Sequence, residues 1–173
     1  EVYLTHGLED YFEPAIRVLH NDGNPSLLLK YVSHENRKID DNVTETVITL
    51  QDDKYPVEVK LFFTTFAKEN IIKERTEIKH QEKKPITLYN YASSLLHLNA
   101  DHYWLTEFSG EWAHEANMTE RQLDFGKKII DTKLGVRANM FCSPFFFLSL
   151  NQPARENEGD ILMGTIGWTG NFR

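Results

Sequence analysis

The sequence predicts an all-β fold, a sandwich of mainly antiparallel strands, on three observations. Apolar and polar residues alternate with period two along one segment after another. Those segments are rich in Val, Ile, Thr, Phe, Tyr and Trp, the side chains that suit a pleated surface. Short clusters of Asn, Asp, Gly and Pro separate them, and no stretch sustains a 3.6-residue period with a cap and a stop.

The clearest strand is Val57 to Phe66. Val57, Val59, Leu61 and Phe63 point one way, and Glu58 and Lys60 the other. From Ile72 to His80 the alternation sets Lys73, Arg75, Glu77 and Lys79 against Ile72, Thr76 and Ile78. Lys68-Glu69-Asn70 between these runs reads as a hairpin turn. Further strands are expected over Leu27 to Val32, Thr44 to Leu50, Ile86 to Leu98, Tyr103 to Phe108 and Glu111 to Met118. Lys127 to Leu134, Pro144 to Leu150 and Ile161 to Thr169 complete the set. Turns fall at Asn21 to Pro25, Asp52 to Pro56 and Glu156 to Asp160. Ser93 to Leu98 could form one helical turn. About ten strands with short connections fit a sandwich.

The 173 residues fit one domain spanning 1–173. A chain of this size buries roughly 70% of its unfolded surface. The apolar run Phe145 to Leu148 falls far short of the roughly 18 to 20 residues of a membrane helix, and reads as a buried strand. A net charge of −7 argues against nucleic acid, whose phosphates call for clustered Lys and Arg. The dense run Lys68 to Lys84 mixes both signs and reads as a solvated sheet face. The one cysteine, Cys142, allows no internal disulfide and reads as a small buried hydrophobe. The chain opens on Glu1-Val2-Tyr3, and both ends read as cuts. The compartment, cytoplasmic or periplasmic and secreted, is therefore left open.

Candidate chemistry is sparse. His97, Asp101, His102, His114 and Glu115 are the nearest approach to a metal set. His114 to Met118 lacks the second His of a zincin helix and lies in a strand pattern, so no metal is assigned. Gly164, Gly167 and Gly170 recur every three residues, which suits a bulge or a close backbone approach rather than a phosphate loop. Acid–base chemistry on a sugar needs two carboxyls roughly 5 Å apart. Asp101, Glu107, Glu111 and Glu115 are close in sequence. Alternation places Glu111 and Glu115 with Ala113, opposite Trp112 and His114, which suits a solvated strand. Trp104, Trp112 and Trp168 lie near turns. Each could fill the core or offer a flat platform to the C–H face of a sugar. Asn42-Val43-Thr44 and Asn117-Met118-Thr119 fit the N-glycosylation pattern.

Taken in order, several segments resemble the N-terminal domain of glycoside hydrolase family 36. Leu105-Thr106-Glu107-Phe108-Ser109-Gly110-Glu111-Trp112-Ala113-His114-Glu115 is similar to its Leu-Ser-Gly-x-Trp-x-x-Glu stretch. Asp131 to Gly135 resembles Ser-x-Arg-Gly, and Ser143 to Leu148 resembles Asn-Pro-Phe-x-x-Leu. Glu158-Gly159-Asp160, followed by Trp168-Thr169-Gly170-Asn171-Phe172, resembles Gly-Glu-x-x-Gly and the closing Tyr-Ser-Gly-Asn-Phe. Asp10-Tyr11-Phe12-Glu13-Pro14-Ala15 is similar to Asp-Phe-Arg-x-Pro-Ala. Phe12 stands where the family has Arg, and Trp168 where it has Tyr. Tyr31 to Glu35 also fits the family's strand text.

The resemblance implies a β-supersandwich of two large sheets. It implies a parent that is a retaining exo-α-galactosidase acting on α-galactoside oligosaccharides such as melibiose and raffinose. In that family both catalytic aspartates sit on a (β/α)8 barrel that follows this domain, so no catalytic residue is assigned here. The domain is expected to pack on its own catalytic barrel, to frame the sugar pocket and to support homo-oligomer assembly. By position the resemblance implies Asp10, Tyr11 and Trp112 beside substrate, and Trp168, Asn171 and Phe172 at the barrel interface. No cofactor is expected, because two carboxylates carry the chemistry. Two rivals are a free-standing carbohydrate-binding module and a mutarotase-like sugar epimerase using His and Glu.

Overall fold

In the computed structural model of the chain, the described residues are 2–7, 13–137 and 140–173. Asp10 and Tyr11, with Phe12, lie outside them. The all-β expectation is borne out. The described residues carry ten strands in antiparallel sheets, and one short 3-10 turn at Gly135–Arg137. No helix among them is long and apolar enough to cross a membrane. The chain divides into two compact units, residues 1–97 and 98–173.

In the first unit, β2 (Leu29–Lys38), β3 (Val43–Asp52), β4 (Val57–Phe66) and β5 (Ile71–His80) form a four-stranded meander in sequence order. β1 (Ile16–Leu19) pairs with β6 (Thr87–Tyr91) as a separate ribbon. The period-two reading of β4 and β5 holds. Register opposes Val59 to Ile78 and Leu61 to Thr76 on one face, and Lys60 to Glu77 on the other. Val57, Val59 and Leu61 are buried with Leu50, Leu27, Ile16 and Val18, so the ribbon and the meander share one core. The opposite face is a charge mosaic. Arg37 meets Glu35, Arg75 lies 3.5 Å from Glu77, and the Arg75 guanidinium sits 3.4 Å over the Phe62 ring. Asn70 closes the β4–β5 hairpin at φ 54°, a left-handed conformation that Asn tolerates well.

In the second unit, β7 (Tyr103–Glu111), β8 (His114–Gln122), β9 (Cys142–Leu150) and β10 (Ile161–Thr165) make a sheet in the order β10-β9-β7-β8. Phe108, Phe145 and Phe147 cluster with ring centroids 4.8 to 6.1 Å apart. Glu107 takes both Arg121 and, at 3.5 Å, Lys128.

Several expectations are corrected. Lys127 to Leu134 is not a strand. Its apolar residues alternate too weakly to pair, and only Thr132 bridges Phe172. Ile86 to Leu98 shortens to β6, and Ser93 to Leu98 forms no helical turn. Ile161 to Thr169 ends at Thr165, ahead of Gly167 and Gly170. β1 escapes the sequence reading because its four residues, with Arg17 at the centre, are too short to show a period. Cys142 is half-buried rather than core.

Candidate functional site

The candidate site is one end of the second unit's sheet. β7 and β10 are each antiparallel to β9, so they run the same way and finish at the same end. The connection leaving β7 carries Trp112, and the segment leaving β10 carries Trp168.

The β7–β8 hairpin aims Trp112 outward. Register runs from Ser109↔Asn117 to Glu111↔His114, so Gly110 alone opposes Glu115 and Ala116. That two-against-one arrangement is a β-bulge, which bends the ribbon and re-aims the residues beyond it. Gly110 eases the close approach, since a β-carbon there would lie 3.3 Å from the Glu115 Cα, a tight contact. Ala113 and Ala116 take φ of 60° and 58° to complete the turn. The Ala113 N–H donates to Glu115 Oε1 at 3.2 Å, and the Asn117 Nδ2 donates to the His114 carbonyl at 2.9 Å. The result is a tethered tip with Trp112 88% exposed. Among the described residues, this is a platform with no wall.

The bulge and turn overturn one expectation. Uninterrupted alternation set Glu111 opposite His114, whereas a turn at Trp112-Ala113 makes them cross-strand partners on one face, with His114 Nδ1 3.6 Å from Glu111 Oε1. Both side chains are about 70% exposed, so this is a solvated pair. No group of three or more His, Cys, Asp and Glu among the described residues is placed to hold a metal ion.

The segment after β10 is anchored differently. The Ile166 N–H donates to the Pro144 carbonyl at 3.3 Å. The Trp168 indole lies against Gly170, where a β-carbon would sit 2.7 Å from Nε1 and 3.0 Å from Cε2. What Gly170 admits is therefore a ring, not the bulge or backbone expected of it. Gly164 is the same case, with Phe146 as the ring, while Gly167 faces open space. The outer side of Trp168 leaves that residue 64% exposed. Asn171 Oδ1 accepts the Gly135 N–H at 2.7 Å, and the Phe172 carbonyl accepts the Thr132 N–H at 3.0 Å. Asn171 thus ties two connections together within the chain.

Met140 and Phe141, just ahead of β9, and Ile166 are exposed at this same end. In the sequence, Met140 and Phe141 were assigned no role, and Ile166 was placed only within the strand Ile161 to Thr169.

A family model described as the glycosyl hydrolase family 36 N-terminal domain matches residues 1–173. An alpha-galactosidase 2 of Pediococcus pentosaceus is 28% identical over 186 aligned residues, 98% of this chain and 25% of that protein. The crystal structure of an alpha-galactosidase from Lactobacillus brevis superposes with a TM-score of 0.88 at 22% identity, over 98% of this chain and 24% of that one. A GH36 alpha-galactosidase variant from Geobacillus stearothermophilus, solved in complex with raffinose, gives a TM-score of 0.85 at 22% identity, covering 98% and 25%. The chain spans about a quarter of the length of the relatives it matches.

Proposed function

Because this chain belongs to glycosyl hydrolase family 36, as its N-terminal domain, we propose that it is the non-catalytic module of a retaining exo-α-galactosidase. In this reading residues 1–173 form one domain ahead of a catalytic barrel that supplies both carboxylates. The module packs on that barrel, frames the galactoside pocket and supports assembly of the oligomer. The substrate class follows the relative solved with raffinose, an α-galactoside oligosaccharide.

The observation that carries the reading is Trp112. Burying an indole typically removes 150 to 250 Å² of surface from water, so a fold seldom leaves one 88% exposed on a braced tip without a partner. The ring offers an apolar face to the C–H side of a sugar and an N–H at its edge. Trp168, Ile166 and Phe141 at the same end add the apolar surface that docking on another domain calls for. Trp168 and Phe172 are assigned to the barrel side, with Asn171 bracing them. Asp10 and Tyr11 are assigned to the substrate side by family position.

The test is hydrolysis of a chromogenic α-galactoside by this chain and by its full-length parent. Activity in the parent alone is expected. Turnover by the 173 residues would overturn the reading. In the parent, Trp112→Ala should raise KM roughly 2- to 10-fold with kcat little changed, as loss of one aromatic contact of about 0.5–1.5 kcal/mol requires. An unchanged KM would remove Trp112 from the pocket. One observation favours a second reading as a free-standing sugar-binding module. Trp168 is a ring already backed by Gly170, held ready without the barrel. Raffinose quenching the tryptophan fluorescence of this chain alone would select that alternative.

A further inference from the structure

The first unit holds a buried histidine–carboxylate pair that the proposed function does not use. His20 and Glu82 are both sealed, their side chains 0% and 2% exposed. His20 Nδ1 lies 2.6 Å from Glu82 Oε1, and His20 Nε2 lies 3.0 Å from the Ser26 carbonyl. The Tyr55 ring stacks flat on the imidazole, with centroids 3.6 Å apart and 10° between planes. Glu82 Oε2 accepts the Asn21 N–H at 3.0 Å and is also bonded by Asn21 Nδ2.

Both ring nitrogens therefore face acceptors. A carbonyl oxygen can only accept, so Nε2 must carry a proton. Glu82 already accepts two bonds from Asn21, which favours its ionised form, so the proton between Oε1 and Nδ1 belongs on the ring. Burial pushes the Glu82 carboxyl up, but its bonds to His20 and Asn21 and the His20 charge outweigh that and hold it below the ordinary glutamate value.

We propose that His20 and Glu82 are a proton-operated clasp, an imidazolium and a carboxylate that hold three connections of the first unit together. The three are the β1–β2 connection through Asn21 to Ser26, the β3–β4 turn through Tyr55, and the β5–β6 connection through Glu82. Ser26 also seats the N-terminal segment, since a β-carbon on Gly7 would lie 3.1 Å from its Oγ. The other groups at this corner keep the balance of charge negative. The Tyr55 hydroxyl donates to Asp22 at 2.9 Å, and the Asn24 amide and that hydroxyl hold the Asp22 carboxyl below its ordinary value. Buried Asp52 accepts the N–H groups of Leu28, Lys54 and Tyr55 at 2.5 to 2.8 Å. Lys83 and Lys84 follow Glu82 but are exposed.

The sign of the pH response follows from the proton count. A rise in pH that removes the second imidazole proton turns a lone pair toward either Glu82 or the Ser26 carbonyl, and the clasp opens. A fall in pH through the lowered Glu82 value also opens it, because stability from a depressed carboxyl is present above its unfolded value and lost on acidification. The clasp is closed between these limits.

The test uses the whole chain, labelled with ¹⁵N. Two-bond ¹H–¹⁵N spectra across the pH range report the protons on His20, and hydrogen exchange reports the Asn21 amide. Below the alkaline transition both His20 nitrogens should be protonated. As the second proton leaves, Asn21 protection should fall about tenfold beyond the intrinsic rise in exchange. Glu82→Gln should move both changes to lower pH together. A neutral single tautomer with a protected Asn21 would overturn the proposal, as would loss of protection with His20 unchanged. The wild-type titration decides even where the variant fails to fold.

Discussion

Gly164 offers a prediction in which two physical effects oppose each other. In β10 it pairs directly with Phe146 of β9, and the Phe146 ring lies over it. A β-carbon at position 164 would fall closest to Cζ, with Cε1 at 2.6 Å and Cε2 at 3.1 Å. Carbon atoms pack at about 3.5 to 4.0 Å, so the overlap is more than about 1 Å and the ring must turn or lift. Overpacking of this kind costs about 1–3 kcal/mol, while replacing a strand glycine by alanine returns about 0.5–1 kcal/mol, leaving Gly164→Ala roughly 1 kcal/mol less stable. With a urea slope of about 2 kcal/mol/M, the unfolding midpoint should fall by roughly 0.5 M at unchanged slope. The same change in a Phe146→Ala background removes the clash and keeps the backbone gain, so there it should stabilise. A midpoint for Gly164→Ala equal to or above the wild type would refute the steric account. So would a cycle in which the two substitutions are additive.

Two other outcomes follow from the second unit. Ala113→Gly relieves a left-handed alanine at φ 60°, worth about 1–2 kcal/mol, but loosens the unfolded chain, so a net gain of about 0.5 kcal/mol is expected by urea denaturation. For Cys142, burial and then the Glu107 and Asp131 carboxylates push the thiol up. It should alkylate more slowly than free cysteine at neutral pH, and the midpoint of its rate against pH should lie above the ~8.5 at which an unperturbed thiol is half ionised. Because the folded value is raised, its stabilising contribution is present below the unfolded value and falls as pH rises through the folded one. Cys142→Ser should flatten that alkaline slope.

The strands that sequence reading located are those whose side chains alternate cleanly, since a half-buried sheet writes its period into the residues. β4 matched residue for residue, because Val57, Val59, Leu61 and Phe63 face a core and Glu58 and Lys60 face the charge mosaic. β1 was illegible because two buried residues, Ile16 and Val18, make no pattern, and its strand partner is β6, far along the chain. At the candidate site the residue types were visible but their direction was not. A two-residue turn at Trp112-Ala113 puts Glu111 and His114 on the same face, and an alternation read straight through has no means of signalling where the strand reverses. The His20–Glu82 pair was hidden by distance. A histidine and a glutamate 62 positions apart carry no mark of each other until the turns between them close.

The plan of the first unit has a bearing on its synthesis. β2 to β5 are successive hairpins, so each strand meets its partner as soon as the next emerges. β1 cannot: Ile16 is made before all of them, yet pairs with Tyr91, made after all of them. At about 5–20 residues per second, roughly 4 to 15 s separate the two. Late in that interval, once His80 has been made, the growing chain carries a finished sheet whose apolar face is covered only by a β1 that still lacks its β6 partner. A holding chaperone that recognises short β-branched segments would find Ile16 to Leu19 open to it then, and closed once Tyr91 has left the ribosome.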